Sequence, residues 1–162
     1  MSEEVIEKMI SYFGDDVRRI NHALKVYGFA VCIAGRESLT EKEKNIVEVA
    51  AILHDIGIKE AEKKYNSSAG KYQEIEGPEI ARKILSDLKF DIEITERICF
   101  IIGNHHSYQK IDGTDFQIIV EADFLVNIYE DEIAESSLKS VRNKYFKTKT
   151  GIELLDSMYL SK

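Results

Sequence analysis

The chain has 162 residues, 44% of them hydrophobic and 31% charged, with a formal net charge of -7; this length and balance suit one domain with a real core. The acidic charge excludes a general nucleic-acid binder, so no DNA partner is expected, although a local basic cluster could still hold a small nucleotide. No apolar run reaches the roughly 18 residues of a membrane span and no signal peptide is visible, so a cytoplasmic protein without a membrane partner is expected.

Apolar residues recur mostly three and four apart, the spacing of helices. Residues 3–12 form a short amphipathic helix. A second helix covers about 15–35, with Asp15 or Asp16 as its N-cap. Thr40 followed by Glu43 is a capping-box pattern that opens a third helix over 41–57. The stretch "KKYNSSAGKYQ", 63–73, reads as a loop. Gly77-Pro78 opens a helix to about 89, with the proline in its first turn. Helices over 93–106 and 115–130 follow, then a mostly polar segment over 133–146 and a final helix within 150–160. The fold class is therefore all-α, a single-domain helical bundle. Cys32 and Cys99 sit in apolar surroundings, "FAVCIA" and "RICFII", and read as small buried hydrophobes in a reducing cytosol.

The four histidines are His22, His54, His105 and His106. His22 shares a helical face with Val26, Phe29 and Ile33. His54 shares one with Val47, Ala50 and Ala51, and His105 with Ile98, Ile101 and Ile102. Three imidazoles on different helices thus point inward, where desolvation is costly unless something pairs with them. Asp55 follows His54 directly, and Asp123 shares a face with Phe116, Ile119 and Val126. An inward carboxylate must be neutralised, hydrogen-bonded or bound to a metal. Histidine with aspartate and open coordination positions is the donor set of a catalytic transition-metal site. Gly57 would let the chain turn away just after the pair.

The order His22, His54-Asp55, Asp123 on an all-helical chain resembles the HD superfamily of metal-dependent phosphohydrolases. The resemblance rests on "NHALKVYGFA", "LHDIG", "EGPEIARKIL", "IIGNHH" and "EADFLVN". It covers about 18–130 as the core of one HD domain spanning 1–162, with a C-terminal helical extension over 133–162. It assigns His22, His54, Asp55 and Asp123 to one divalent metal: Mn²⁺, Fe²⁺, Co²⁺, Ni²⁺ or Zn²⁺. The sequence departs from the family in two places. Many relatives carry a lysine three residues after the HD aspartate; here Ile58 stands there and Lys59 follows it. Relatives with two metals carry a histidine where this chain has Gln73, four residues before Gly77. His105 and His106 fall where those relatives place further ligands, so a second ion is left open.

The resemblance implies hydrolysis of a phosphate ester or phosphoanhydride of a small metabolite, a nucleotide or dinucleotide, by metal-activated water. His105, Glu76 and Lys59 are the candidates for catalysis. Arg19, Lys71, Gln73 and His106 are the candidates for binding substrate, with Arg18 and Lys64 as further cations for the phosphate. Two alternatives stand: a metabolite sensor that keeps the metal pocket without turnover, and a di-iron oxygenase of the same fold. The apolar residues of "IELLDSMYL" leave a homodimer open.

Overall fold

The structure is a computed structural model that describes residues 1–161. Helices α1 (Ser2–Phe13), α2 (Val17–Arg36) and α3 (Glu41–Leu53) come first. Short α4 (Ile58–Tyr65) follows, then α5 (Gly70–Asp87) and α6 (Ile92–Ile102). The long α7 (Thr114–Glu130) precedes α8 (Glu135–Tyr145) and α9 (Lys149–Leu155). No strand occurs among the described residues, so the expected all-α class is observed. None of their helices is long and apolar enough to cross a membrane.

The local signals for the first helices act as read. Asp16 caps α2 by accepting from the Arg19 amide, at 3.3 Å. Thr40 and Glu43 close a reciprocal capping box on α3: the Glu43 amide reaches Thr40 Oγ1 at 3.2 Å, and the Thr40 amide reaches Glu43 Oε2 at 2.7 Å. Helix α2 packs on α3 and α7, and α5 packs on α6 and α4. Met9, Ile33, Ile52, Leu53, Ile98, Ile102, Phe116 and Ile119 are fully buried at the centre. Helix α7 is buried on nearly every side, which is why its run "FQIIV" is almost continuously apolar.

Three local readings are corrected. The stretch 63–73 is mostly helical: α4 runs to Tyr65 and α5 begins at Gly70, so Pro78 lies inside α5 rather than in its first turn. What carries α5 across the Gly-Pro pair is its inner face, since Gln73, Gly77, Ala81, Ile84 and Leu85 are all buried. The expected C-terminal helical extension is present and includes α8, which buries only Leu138. Cys32 is exposed while Cys99 is buried. The core face of α2 is defined by His22, Val26, Ala30 and Ile33, and Cys32 points away from it.

The C-terminal segment is tied to α7 through buried Glu121. Its carboxylate accepts from the amides of Lys147 and Thr148, each at 3.1 Å, and from Thr148 Oγ1 at 2.7 Å. Tyr159 adds a hydrogen bond to the Leu125 carbonyl at 2.7 Å.

Candidate metal centre

Helix α3 ends at Leu53, and residues 54–57 form a tight turn into α4. The turn places His54 and Asp55 at the base of a cleft. His22 reaches it from α2 and Asp123 from α7. Gly57 matters here through space rather than backbone freedom: its φ is -76°, an ordinary helical value. A Cβ on Gly57 would lie 2.6 Å from the Gln73 carbonyl oxygen and 2.6 Å from the Gly77 amide nitrogen. The two glycines let the HD turn and α5 cross in contact.

Four donor atoms converge. His22 Nε2 lies 3.2 Å from His54 Nε2, 3.2 Å from Asp123 Oδ1 and 3.4 Å from Asp55 Oδ2. His54 Nε2 lies 3.4 Å from Asp55 Oδ2 and 3.5 Å from Asp123 Oδ1. Ligands about 2.1 Å from a shared ion stand about 3.0–3.4 Å from one another, depending on geometry. The observed separations fit that spacing closely.

The protonation pattern supports the same reading. His54 Nδ1 lies 2.7 Å from the Ala51 carbonyl oxygen, which only accepts, so Nδ1 carries a hydrogen. His22 Nδ1 faces the Glu130 carboxylate at 3.3 Å and carries one too. In neutral rings both Nε2 lone pairs would then point at each other and at two carboxylates. The cluster needs positive charge at its centre, as protons or as a cation. Without a metal, protons fill the need. Burial works against charge on His22 and His54, but hydrogen bonds and attraction from Asp55 and Asp123 outweigh it and raise both imidazoles, His54 well above its ordinary range. Burial likewise opposes ionisation of Asp55 and Asp123, yet the histidines hold both carboxyls below the usual carboxylate range.

A second cluster adjoins the first. Asp55, His105 and His106 offer donor atoms within 4.8 Å of one another. His105 Nε2 lies 3.3 Å from Asp55 Oδ1, and its Nδ1 lies 2.8 Å from the Ile102 carbonyl oxygen. This repeats the device at His54: a carbonyl three residues upstream fixes the tautomer and aims Nε2 into the site. Asp55 thus faces the first cluster with Oδ2 and the second with Oδ1. Gln73 completes the second side. Its Nε2 donates to the Ser68 carbonyl at 2.6 Å, which turns Oε1 toward His106 Nε2, 3.3 Å away. An amide oxygen therefore stands where two-metal relatives present an imidazole. Burial and the neighbouring His105 push the His106 imidazole down to about 4, so it is a neutral donor at ordinary pH.

The cleft over the clusters encloses about 280 Å³ and is lined by Arg18, Arg19, Ser68, Gln73, His106 and Asn127, among others. Several expected residues are not in it. Lys59 turns to α1, where it donates to the Tyr12 carbonyl at 2.9 Å and covers the Tyr12 ring; the extra residue before it rotates it off the cleft side, which Ile58 occupies. Glu76 faces α4 and is held by Lys64 at 2.9 Å and by the Tyr65 hydroxyl at 3.0 Å. Lys71 lies over the Tyr72 ring, 4.7 Å from its centre. Arg19 lines the cleft but is committed to Asp16 and Glu62. His105 sits among ligand candidates rather than beyond them. Two residues were missed: Asn127, whose Nδ2 donates to Asp123 Oδ1 at 2.9 Å, and Glu130 behind His22. Both follow Asp123 at helical spacing, four and seven residues on, which is the signal that could have found them.

Comparison with curated proteins and with solved structures gives no match. The sequence model of the HD domain family matches residues 19–140, most of the chain and every member of both clusters. The protein belongs to the HD domain superfamily of metal-dependent phosphohydrolases.

Proposed function

We propose that the chain hydrolyses a small phosphorylated metabolite, with a nucleotide as the leading class, using a divalent transition metal held by His22, His54, Asp55 and Asp123. The observation that carries this reading is the convergence of two imidazole nitrogens and two carboxylate oxygens at 3.2–3.5 Å under an open cleft. A metal bound there supplies Lewis acidity, which polarises a phosphoryl oxygen and makes hydroxide available near neutral pH.

The chain's own residues do the remaining work. His54 and Asp55 hold the donors on a rigid turn whose position α5 fixes through the Gly57–Gly77 contact. Asn127 holds Oδ1 of Asp123 in place. His105, His106 and the Gln73 amide oxygen would offer a smaller donor set for a second ion, and Asp55 faces both sets. The cleft volume of about 280 Å³ lies just below the roughly 300–1,000 Å³ of small-molecule sites, which suits one small ester.

The test is elemental analysis of the purified protein together with phosphate release from a panel of nucleotides and sugar phosphates under Mn²⁺, Co²⁺ or Ni²⁺. One or two metals per chain with turnover is the expected result. Metal without turnover of any ester favours a sensor, and iron with O₂ uptake favours an oxygenase. Absence of bound metal under every condition sinks the reading.

A further inference from the structure

The cations near the cleft are nearly all committed elsewhere. Arg19 is held by Asp16 at 2.7 Å and by Glu62. Lys25 is held by Glu130 at 2.8 Å. Lys64 is held by Glu76, Lys59 by the Tyr12 carbonyl and Lys71 by the Tyr72 ring. Arg18 differs. It lines the cleft from the first turn of α2, one turn before His22, and no carboxylate pairs with it among the described residues. The cleft lining also carries Glu130 and Asp131, and Asp131 has no cationic partner among the described residues.

This charge pattern has a consequence for what the cleft accepts. A phosphomonoester brings a dianion, whose charge the metal offsets only in part. A guanidinium can take two of the remaining phosphoryl oxygens through parallel N–H bonds. A second or third phosphate would find no further free cation in the cleft, whose lining also carries the unpaired Asp131 carboxylate. We infer that Arg18 is the residue that reads the substrate phosphate, and that the cleft selects a single terminal phosphate over a di- or triphosphate chain. This rests on the hydrolase reading for its substrate but not for its binding test.

The experiment uses full-length protein loaded with Mn²⁺ and two readouts. The first is calorimetric binding of inorganic phosphate to wild type, Arg18→Ala and Arg18→Lys, with metal content checked in each. Charge-assisted bonds of this kind are worth about ten- to a hundredfold in affinity. Arg18→Ala is expected to lose about that much with metal content and helicity unchanged, and Arg18→Lys to recover part of it. The second is kcat/KM for the mono-, di- and triphosphate of one nucleoside. The monophosphate is expected to lead, and Asp131→Asn to narrow its lead. Phosphate affinity unchanged in Arg18→Ala overturns the role of Arg18. A wild-type preference for the triphosphate overturns the single-phosphate selection. Arg18-dependent phosphate binding without hydrolysis of any ester would support the arginine's role while overturning the hydrolase reading.

Discussion

Glu130 stands behind His22, with its carboxylate 3.3 Å from His22 Nδ1 and 2.8 Å from Lys25 Nζ. The contact puts the imidazole hydrogen on Nδ1 and leaves Nε2 aimed at His54 and Asp123. Lys25 pins the carboxylate from the same helix as His22, three residues on. Outer partners of this kind orient a ligand and raise its basicity, and losing one typically costs about 10–100-fold in metal affinity. Glu130→Ala is therefore expected to weaken Mn²⁺ or Co²⁺ binding by about that factor, while Glu130→Gln, which keeps an acceptor oxygen, falls in between. Titration calorimetry of the metal-free proteins measures this without any substrate. Equal affinities in all three would mean that His22 needs no support.

Asp55 is the one donor shared by both clusters, through Oδ2 on one side and Oδ1 on the other. That geometry separates three variants. Asp55→Ala should lose all bound metal, because both donor sets lose a member. His105→Ala should affect only the second site. Asp123→Ala should affect only the first. Circular dichroism should show helical content largely intact in each, since Asp55 and Asp123 line the cleft and His105 is a single buried ring beside them. Metal stoichiometry by elemental analysis reads the pattern directly, and a full complement in Asp55→Ala would contradict the assignment.

The candidate ligands are legible in the sequence because donor and helical face coincide. His22, His54, His105 and Asp123 each sit among apolar residues at helical spacing, so one pattern buries them and brings them together. The cleft rim was not legible in this way. Where a long side chain points depends on what neighbouring elements offer it. Lys59 goes to a carbonyl on α1, Arg19 to a carboxylate on α4, and Glu76 to a lysine and a tyrosine on α4. None of those partners is close in sequence. The start of α5 was misplaced for a related reason. Gly77-Pro78 is a local start signal, whereas the burial of Gln73 and the contact with Gly57 are tertiary facts.

The ion cluster predicts opposite limbs of pH dependence for the metal-free protein. His22 and His54 are raised above the ordinary 6.5, burial opposing and the two aspartates prevailing. Their contribution is complete below the unfolded value of 6.5 and is lost as pH rises through the raised folded values. Asp55 and Asp123 are lowered from 3.8, burial again opposing and the histidines prevailing. Their contribution is present above 3.8 and is lost as pH falls through the lowered folded values. The metal-free protein should therefore gain most from this cluster between 3.8 and 6.5. Metal binding must expel the imidazole protons, so apparent affinity should rise with pH and protons should be released on loading. Thermal unfolding of both forms from acid to alkaline pH is the check. A metal-free protein that grows steadily more stable above neutral pH would argue against protonated histidines in the empty cluster.

Gly57→Ala tests whether the close crossing of the HD turn and α5 supports the site. The added methyl would meet the Gln73 carbonyl oxygen and the Gly77 amide nitrogen, both at 2.6 Å and both backbone, so no side chain can swing aside. Relief requires α5 or the turn to move. Overpacking of this kind costs about 1–3 kcal/mol, so the urea midpoint should drop with little change in slope. The same movement would shift Gln73 relative to His106 and Asp55 relative to His22, so metal affinity should fall as well. Loss of stability with full metal affinity would show that α5 braces the fold without placing the donors. Loss of both is the expected result, because the residue that follows His54 and Asp55 so closely is the one that rests directly on α5.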